Sequence, residues 1–136
     1  MTAIYLDLSA LRLPSPDPAV PDDQLVPRAL EAVAYLVDAG FDVVVIGPDD
    51  ASVPGLGEGV RRETEPPEHL EPGAWYLTGE AHPAVRLPRG GATVLVGPRP
   101  PAGKVPLPRF DLEARDMAAA AMEILSRDAM TSHAPA

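Results

Sequence analysis

The sequence predicts an α/β fold, a three-layer Rossmann-like sandwich with a mainly parallel sheet in a single domain. Short apolar runs of four or five residues recur along the chain, which is typical of strands covered on both faces. A helical pattern separates the first two runs, and a strand, a helix and a second strand in this order form a parallel crossover. The length of 136 residues suits one such domain.

The first half of the chain gives the clearest pattern. A strand is predicted over residues 4–8, and a helix follows with Pro27 in its first turn, where a missing N–H costs nothing. Gly40 is placed as the C-terminal cap of this helix, and a second strand covers residues 43–46. The residues expected to share the inward helix face are Leu30, Val33, Ala34 and Val37.

The second half begins with a segment rich in Gly and Pro, residues 48–73, which is either ordered in the free protein or becomes ordered when a ligand binds. The predicted strands are 60–64, 74–78 and 93–96, with an edge strand at 110–112; a helical turn is expected at 68–70, and a short helix or loop at 82–89. A last helix over 114–127 is expected to bury Met117, Ala118, Ala121, Met122 and Leu125. The domain is expected to span 1–130, and 131–136 to form a flexible tail.

Composition limits the classes of function. The net charge of −9 disfavours a phosphate backbone as a partner, so we expect no nucleic acid. There is no cysteine, which excludes disulfides and thiolate chemistry. No apolar run approaches the roughly 20 residues that span a bilayer, so we expect a cytoplasmic protein without a membrane partner. An unknown protein partner or self-association is the general expectation.

Three candidate site residues fall just after predicted strands. Asp7, Gly47 and Glu80 each lie at a carboxyl end. In open parallel sheets, ligands bind beyond these ends, where the winding of the chain reverses. We therefore expect the site at this edge.

Two segments resemble signature elements of one enzyme superfamily. Residues 3–9 are an apolar run through Asp7 to Ser9, and residues 75–80 are an apolar run ending in Gly79-Glu80. They resemble the haloacid dehalogenase (HAD) superfamily of phosphatases and related hydrolases. The likeness is to a small member without a cap domain, and its catalytic set is degenerate.

The resemblance implies roles for several positions. Asp7 stands at the nucleophile position, and Ser9 replaces the second Asp that serves as general acid and base. Gly47 stands where the family has a Ser or Thr hydroxyl for the phosphoryl group. Asp7 and Glu80 would hold Mg²⁺, while Ala84 replaces a further acid.

The family also has a Lys that neutralises nucleophile and phosphate. No lysine precedes residue 80, and Arg61 and Arg62 are the nearby candidates for binding substrate. Arg is not equivalent to Lys in such a position. The same two arginines are also typical of a balanced surface among neighbouring acids.

Simpler interpretations stay open for each candidate. Asp7 would also suit an acid that accepts backbone N–H groups of the next loop, and Glu80 a solvated loop acid. Asp49 and Asp50 are more typical of a turn or a helix cap than of ligands. His82, two residues past Glu80, is more typical of an exposed loop than of a general base.

Three functions compete at this stage. The first is a HAD-like domain that binds or scaffolds with little or no catalysis. The second is an active Mg²⁺-dependent phosphohydrolase with Asp7 as nucleophile. The third, dehalogenase-type chemistry, needs no second Asp but still uses the hydroxyl and Lys positions, which are absent.

Overall fold

The computed structural model describes residues 2–11, 27–47, 59–81, 86–97, 103 and 106–132. These ranges contain six strands, two α-helices and one 3-10 helical turn. In chain order they are β1 Ala3–Asp7, the 3-10 turn Leu8–Leu11, α1 Pro27–Asp38, β2 Asp42–Ile46, β3 Val60–Glu63, β4 Trp75–Thr78, β5 Ala92–Val96, β6 Leu112–Ala114 and α2 Met117–Ser132. Neither described helix is long and apolar enough to cross a bilayer.

All six strands form one parallel sheet in the order β3-β2-β1-β4-β5-β6. The chain winds outward from β1 through β2 to β3, then continues on the other side of β1 and winds outward through β4 and β5 to β6. The winding therefore reverses between the two central neighbours, β1 and β4. The predicted α/β fold with a parallel sheet is confirmed.

The two described helices share one face of the sheet. Alternate strand residues such as Ile4, Val43 and Leu77 form a single apolar cluster with both helices. The opposite face carries a smaller cluster, in which Leu70 and Leu87 from loops pack around Tyr5 and Tyr76. In the described part of the chain, loop segments therefore form the layer on that second face.

Local chemistry sets the ends of the two helices. Gly40, at a φ of +95°, follows α1 and allows the chain to turn into β2, as predicted. Asp116 caps α2, because its Oδ1 accepts the N–H of Ala119 at 2.8 Å. Pro27 is the first residue of α1, which the missing N–H favours.

Both helices turn their buried faces by about one residue from the predicted ones. In α1 the buried positions are Ala29, Ala32, Val33 and Leu36, and in α2 they are Met117, Ala120, Ala121 and Ile124. Each set follows i, i+3, i+4 and i+7, the spacing of a single helix face. Ala34 is exposed and Met122 is 65% exposed, so their assignment to the core was wrong.

Other differences are small and local. The turn predicted at 68–70 is extended, because His69 forms a β-bridge with Arg89. The edge strand lies two residues later than predicted, at Leu112–Ala114, and α2 reaches Ser132, inside the segment expected to be a tail. Residues 12–26, 82–85 and 133–136 lie outside the described residues.

Candidate functional site

The candidate site lies at the carboxyl ends of β1 and β4, where the winding reverses. Asp7 is the last residue of β1 and Thr78 the last residue of β4. Leu6 and Leu77 are register partners, so the residues that follow them project to the same face. The 3-10 turn after β1 then brings Ser9 over the end of β4.

Asp7, Ser9 and Thr78 form a compact hydrogen-bonded cluster. The hydroxyl of Ser9 donates a short hydrogen bond to Asp7 Oδ2. The hydroxyl of Thr78 lies 3.2 Å from the same carboxylate oxygen and 3.1 Å from Ser9 Oγ. Backbone N–H groups complete it: Gly79 donates to Ser9 Oγ at 2.9 Å, and Glu80 donates to Thr78 Oγ1 at 3.1 Å.

The cluster has three close oxygen–oxygen contacts but fewer hydrogens to fill them. Ser9 and Thr78 each have one hydroxyl hydrogen, and an ionised Asp7 has none. Because Ser9 donates to Asp7, Thr78 donates either to Asp7 or to Ser9. Two hydroxyl hydrogens therefore serve the three contacts among these side chains.

The two oxygens of Asp7 are used differently. Oδ2 accepts from hydroxyls, whereas Oδ1 has no hydrogen-bond partner among the described residues. The backbone N–H groups of residues 79 and 80 go to hydroxyls and not to the carboxylate. Within the described residues, Asp7 is therefore not the acceptor that holds these loops, and none of their donors occupies its Oδ1.

Gly79 is required by a close approach of two backbones. A Cβ atom at this position would overlap the carbonyl oxygen of Ser9 and lie 3.3 Å from that of Val96. Neither obstacle is a flexible side chain. The absence of a side chain here is what lets the 3-10 turn sit on β4.

The end of β2 lacks comparable polar chemistry. Gly47 follows β2, and its N–H donates to the carbonyl oxygen of Glu63 at 2.9 Å. Leu8 packs over it, with Cγ 2.9 Å from where a Cβ would stand. The position that the HAD resemblance gives to a phosphate-binding hydroxyl is thus covered by an apolar side chain.

Tyr76 senses the charge at this edge. Its ring is buried, and burial, followed by the negative charges of Asp7 and Glu80, raises the pKa of Tyr76 to about 12 against a smaller lowering by Thr78. One phenol therefore feels both carboxylates that the resemblance assigns to a metal. Glu80 itself is exposed at the rim.

The candidate arginines lie on the edge strand β3, which β2 separates from β1. Arg61 donates two hydrogen bonds to Asp42, Nε to Oδ1 at 3.1 Å and Nη2 to Oδ2 at 2.6 Å. These bonds raise the pKa of Arg61. Asp42 begins β2, so the pair lies toward the amino end of the sheet and away from Asp7, while Arg62 is exposed on the other face of β3.

Asp49, Asp50 and His82 lie outside the described residues, and so does Ala84, which replaces the further acid. Within the described residues, no group of three or more His, Asp or Glu side chains is arranged to hold a metal ion. Asp7 and Glu80 are the pair that the described edge offers.

Thr78 and Tyr76 were missed as site residues. Both belong to the apolar run before Gly79, where they were assigned to the sheet alone. Alternation along β4 was the available signal, because residues 76 and 78 share the face of Asp7.

Chemically, the cluster offers carboxylate and hydroxyl oxygens and no cationic group from the described residues. It suits a cation or a hydrogen-bond donor better than an anion. No protein-family model matches the chain, and no curated protein or solved structure matches it either.

Proposed function

We propose that this chain is a HAD-like domain with a degenerate catalytic set, which binds a ligand or partner at the Asp7 edge and turns over substrate weakly or not at all. The observation that carries the proposal is the hydrogen bond from Ser9 to Asp7. The residue in the place of the general acid gives its one hydrogen to the residue in the place of the nucleophile.

This arrangement handicaps both halves of a phosphoryl transfer. An alkoxide leaving group needs a proton, and a serine hydroxyl is too weak an acid to supply one. Loss of a general acid costs on the order of 10²–10⁴ in rate. Hydroxyls bound to Asp7 also stabilise its negative charge in the ground state, which adds to the barrier for attack.

Among the residues that the structure describes, the site also lacks groups that would bind the phosphate. Gly47 lies under Leu8, and Arg61 is held by Asp42 on the other side of β2. A dianionic phosphoryl group would therefore face Asp7 and Glu80 with no cation from the described residues to offset their charge.

The two carboxylates that the resemblance assigns to a metal, Asp7 and Glu80, are both present, and Mg²⁺ is the ligand that they would bind. Mg²⁺ is commonly held by one or two carboxylates while it keeps several waters. Asp7 Oδ1 has no hydrogen-bond partner among the described residues, and the charges of Asp7 and Glu80 both reach Tyr76. A bound divalent cation would offset the negative charge of the two carboxylates that act on Tyr76.

The alternative is an active Mg²⁺-dependent phosphohydrolase with Asp7 as nucleophile. What favours it is the same Asp7 Oδ1, an oxygen that could attack phosphorus without breaking the bonds to Oδ2. In that case an arginine would have to replace the missing Lys.

Hydrolysis of an aryl phosphate separates the two. An aryl leaving group departs without a proton, so the missing acid matters least. We would compare wild type, Asp7→Asn and Ser9→Asp, each with Mg²⁺ and with EDTA. We expect wild type and Asp7→Asn to be indistinguishable; turnover that is lost in both Asp7→Asn and EDTA would establish the phosphohydrolase instead.

A second arm tests binding without turnover. Mg²⁺ at about ten times its dissociation constant should stabilise the wild type by about 1.4 kcal/mol, while Asp7→Asn and Glu80→Gln should lose the effect. Asp111→Asn is the matched control, because this carboxylate lies on another edge. Equal responses in all four chains would contradict a cation site.

A further inference from the structure

A second pocket lies between two loop segments on the far side of the molecule from the Asp7 edge. Residues 66–69 and 86–89 run side by side and leave an open pocket of about 600 Å³. Two backbone hydrogen bonds join the segments: Arg89 N–H to the carbonyl oxygen of Glu68 at 2.9 Å, and Leu70 N–H to that of Arg89 at 2.7 Å. The pairing comes just before β4 and β5 begin, toward the amino ends of the strands.

The walls of this pocket are stiff. Pro66, Pro67 and Pro88 line it, and each proline ring fixes its own φ angle. Pro88 and the neighbouring Leu70 are also buried, which anchors the segments on the sheet. A ligand would therefore meet a surface that is already ordered, at a small entropic cost.

Two arginines, Arg86 and Arg89, line this pocket although the protein as a whole is acidic. They lie in a chain of net charge −9, and His69 adds imidazole nitrogens to the same lining. Neither arginine has an ion pair or a side-chain hydrogen bond with another described residue, even though Glu68 is in the same wall. By contrast, Arg61 is bound to Asp42 at 2.6 Å.

We propose that this pocket binds a small organic phosphate or phosphonate, with the anionic group at Arg86 and Arg89 and an apolar body against the prolines. Guanidinium groups are suited to such oxyanions, because they donate two parallel hydrogen bonds. Leu87 and the three proline rings supply apolar surface for the rest of the ligand. The volume lies within the usual range of about 300–1,000 Å³ for small-molecule sites.

This site is separate from the one in the proposed function. The Asp7 edge offers oxygens to a cation, whereas this pocket offers nitrogens to an anion. The failure of either proposal leaves the other untouched.

Phenylphosphonate is the probe that we would use, because it has both features and is not hydrolysed. Its binding would be followed by amide chemical shifts of the ¹⁵N-labelled full chain, beside inorganic phosphate and benzyl alcohol. We expect shifts at Leu70, Leu87 and Arg89, and an affinity at least tenfold higher than for either partial probe.

The matched variants are Arg86→Gln with Arg89→Gln, and Arg109→Gln as the control. Arg109 is also exposed but does not line the pocket. We expect the double variant to lose at least tenfold in affinity and the control less than twofold. Arg86→Lys with Arg89→Lys keeps the positive charges but removes the paired N–H donors of the guanidinium groups. We expect this variant to lose affinity as well.

Three results would overturn the proposal. The first is a set of shifts centred on Ser9 and Gly79, which would place the anion at the other edge. The second is an affinity that both double variants share with the wild type. The third is binding no tighter than that of inorganic phosphate, which would mean an adventitious ion only.

Discussion

Two buried threonines, Thr78 and Thr93, each form a hydrogen bond with an aspartate, but the two aspartates have different roles. Thr78 is 1% exposed and Thr93 is 6% exposed, and each is bonded to an aspartate from another element. Asp111 accepts the backbone N–H of Thr93 at 2.8 Å and its hydroxyl at 3.1 Å, and returns its own N–H to the carbonyl oxygen of Thr93 at 2.9 Å. Asp7 accepts from hydroxyls alone within the described residues.

Among the described residues, the difference separates a carboxylate that holds the backbone, Asp111, from one that does not, Asp7. Asp111 fixes the start of β6 on β5, since it fills a backbone donor that has to be filled when buried. Asp7 fills no backbone donor in the described chain, and the neighbouring N–H groups use the hydroxyls of Ser9 and Thr78 instead. We therefore expect the Asp7 carboxylate to contribute little to the stability of the fold, although the fold positions it.

The largest expected effect concerns the close approach on which the Asp7 cluster depends. Gly79→Ala places a methyl group against the carbonyl oxygen of Ser9, which cannot rotate away, so we expect a loss of about 3 kcal/mol in the free energy of unfolding. Gly47→Ala meets the Cδ1 and Cγ atoms of Leu8, a side chain that can move where backbone cannot, and should cost about 1 kcal/mol. Urea denaturation of both variants measures this. A cost for Gly79→Ala no larger than that for Gly47→Ala would mean that the two loops are not closely packed.

The comparison itself is tested by removing each carboxylate. Asp111→Ala leaves the N–H of buried Thr93 without an acceptor and should cost about 2 kcal/mol. Asp7→Ala should cost less than about 1 kcal/mol, because Ser9 and Thr78, at 3.1 Å, can pair with each other. Denaturation curves at neutral pH give both values. Equal costs would make Asp7 a structural residue as well.

The pH dependence of stability reports the burial of Tyr76 and, to a smaller extent, the negative charges of Asp7 and Glu80 beside it. Because the folded pKa of Tyr76, about 12, lies above its ordinary value of 10.0, the folded chain keeps a proton that the unfolded chain loses. Stability should therefore decrease as pH rises, by about 1 kcal/mol between pH 10 and 11, and Tyr76→Phe should remove this component.

Titration of the phenol by its absorbance adds the discriminating control. Asp7→Asn should lower the pKa of Tyr76, because it removes one of the charges that raise it. Asp111→Asn should leave it unchanged. If both variants shift the phenol equally, the charge that Tyr76 senses is not specific to the Asp7 edge.

The smallest effect is expected at Ser9. Ser9→Ala removes the acceptor of the Gly79 N–H, but Gly79 is exposed and water can replace the hydroxyl. We expect a change of about 0.5 kcal/mol in the free energy of unfolding. A loss above about 2 kcal/mol would show that the cluster stabilises the fold as strongly as Asp111 does.

Much of the fold could be predicted because the signals are local. The runs at 43–46 and 93–96 are apolar enough to be buried strands in any parallel sheet, and Gly40 has the residue type that a helix end needs. The faces of the helices were predicted less well. Met122 is apolar, yet it lies about 140° around α2 from Met117, and composition alone does not say which side meets the sheet.

The candidate site was predicted in part. Asp7 and Ser9 are two residues apart, and the sequence alone singled them out. Thr78 joins them from 69 residues away in the chain, through the neighbouring positions of β1 and β4. Arg61 was expected near the site but is bound to Asp42 instead. The pairing of β2 with β3 brings these two residues together, and no local sequence pattern reveals it.

The sequence by itself determined the class of fold, the order of its elements and the residue types available at the sheet edge, since each depends on local periodicity and composition. Tertiary structure decided which of these residues meet. Strand order placed Asp7 beside Thr78, and the space above Gly79 let Ser9 enter between them. Contacts of this kind depend on register and packing between distant segments, and neither is a property of any one segment.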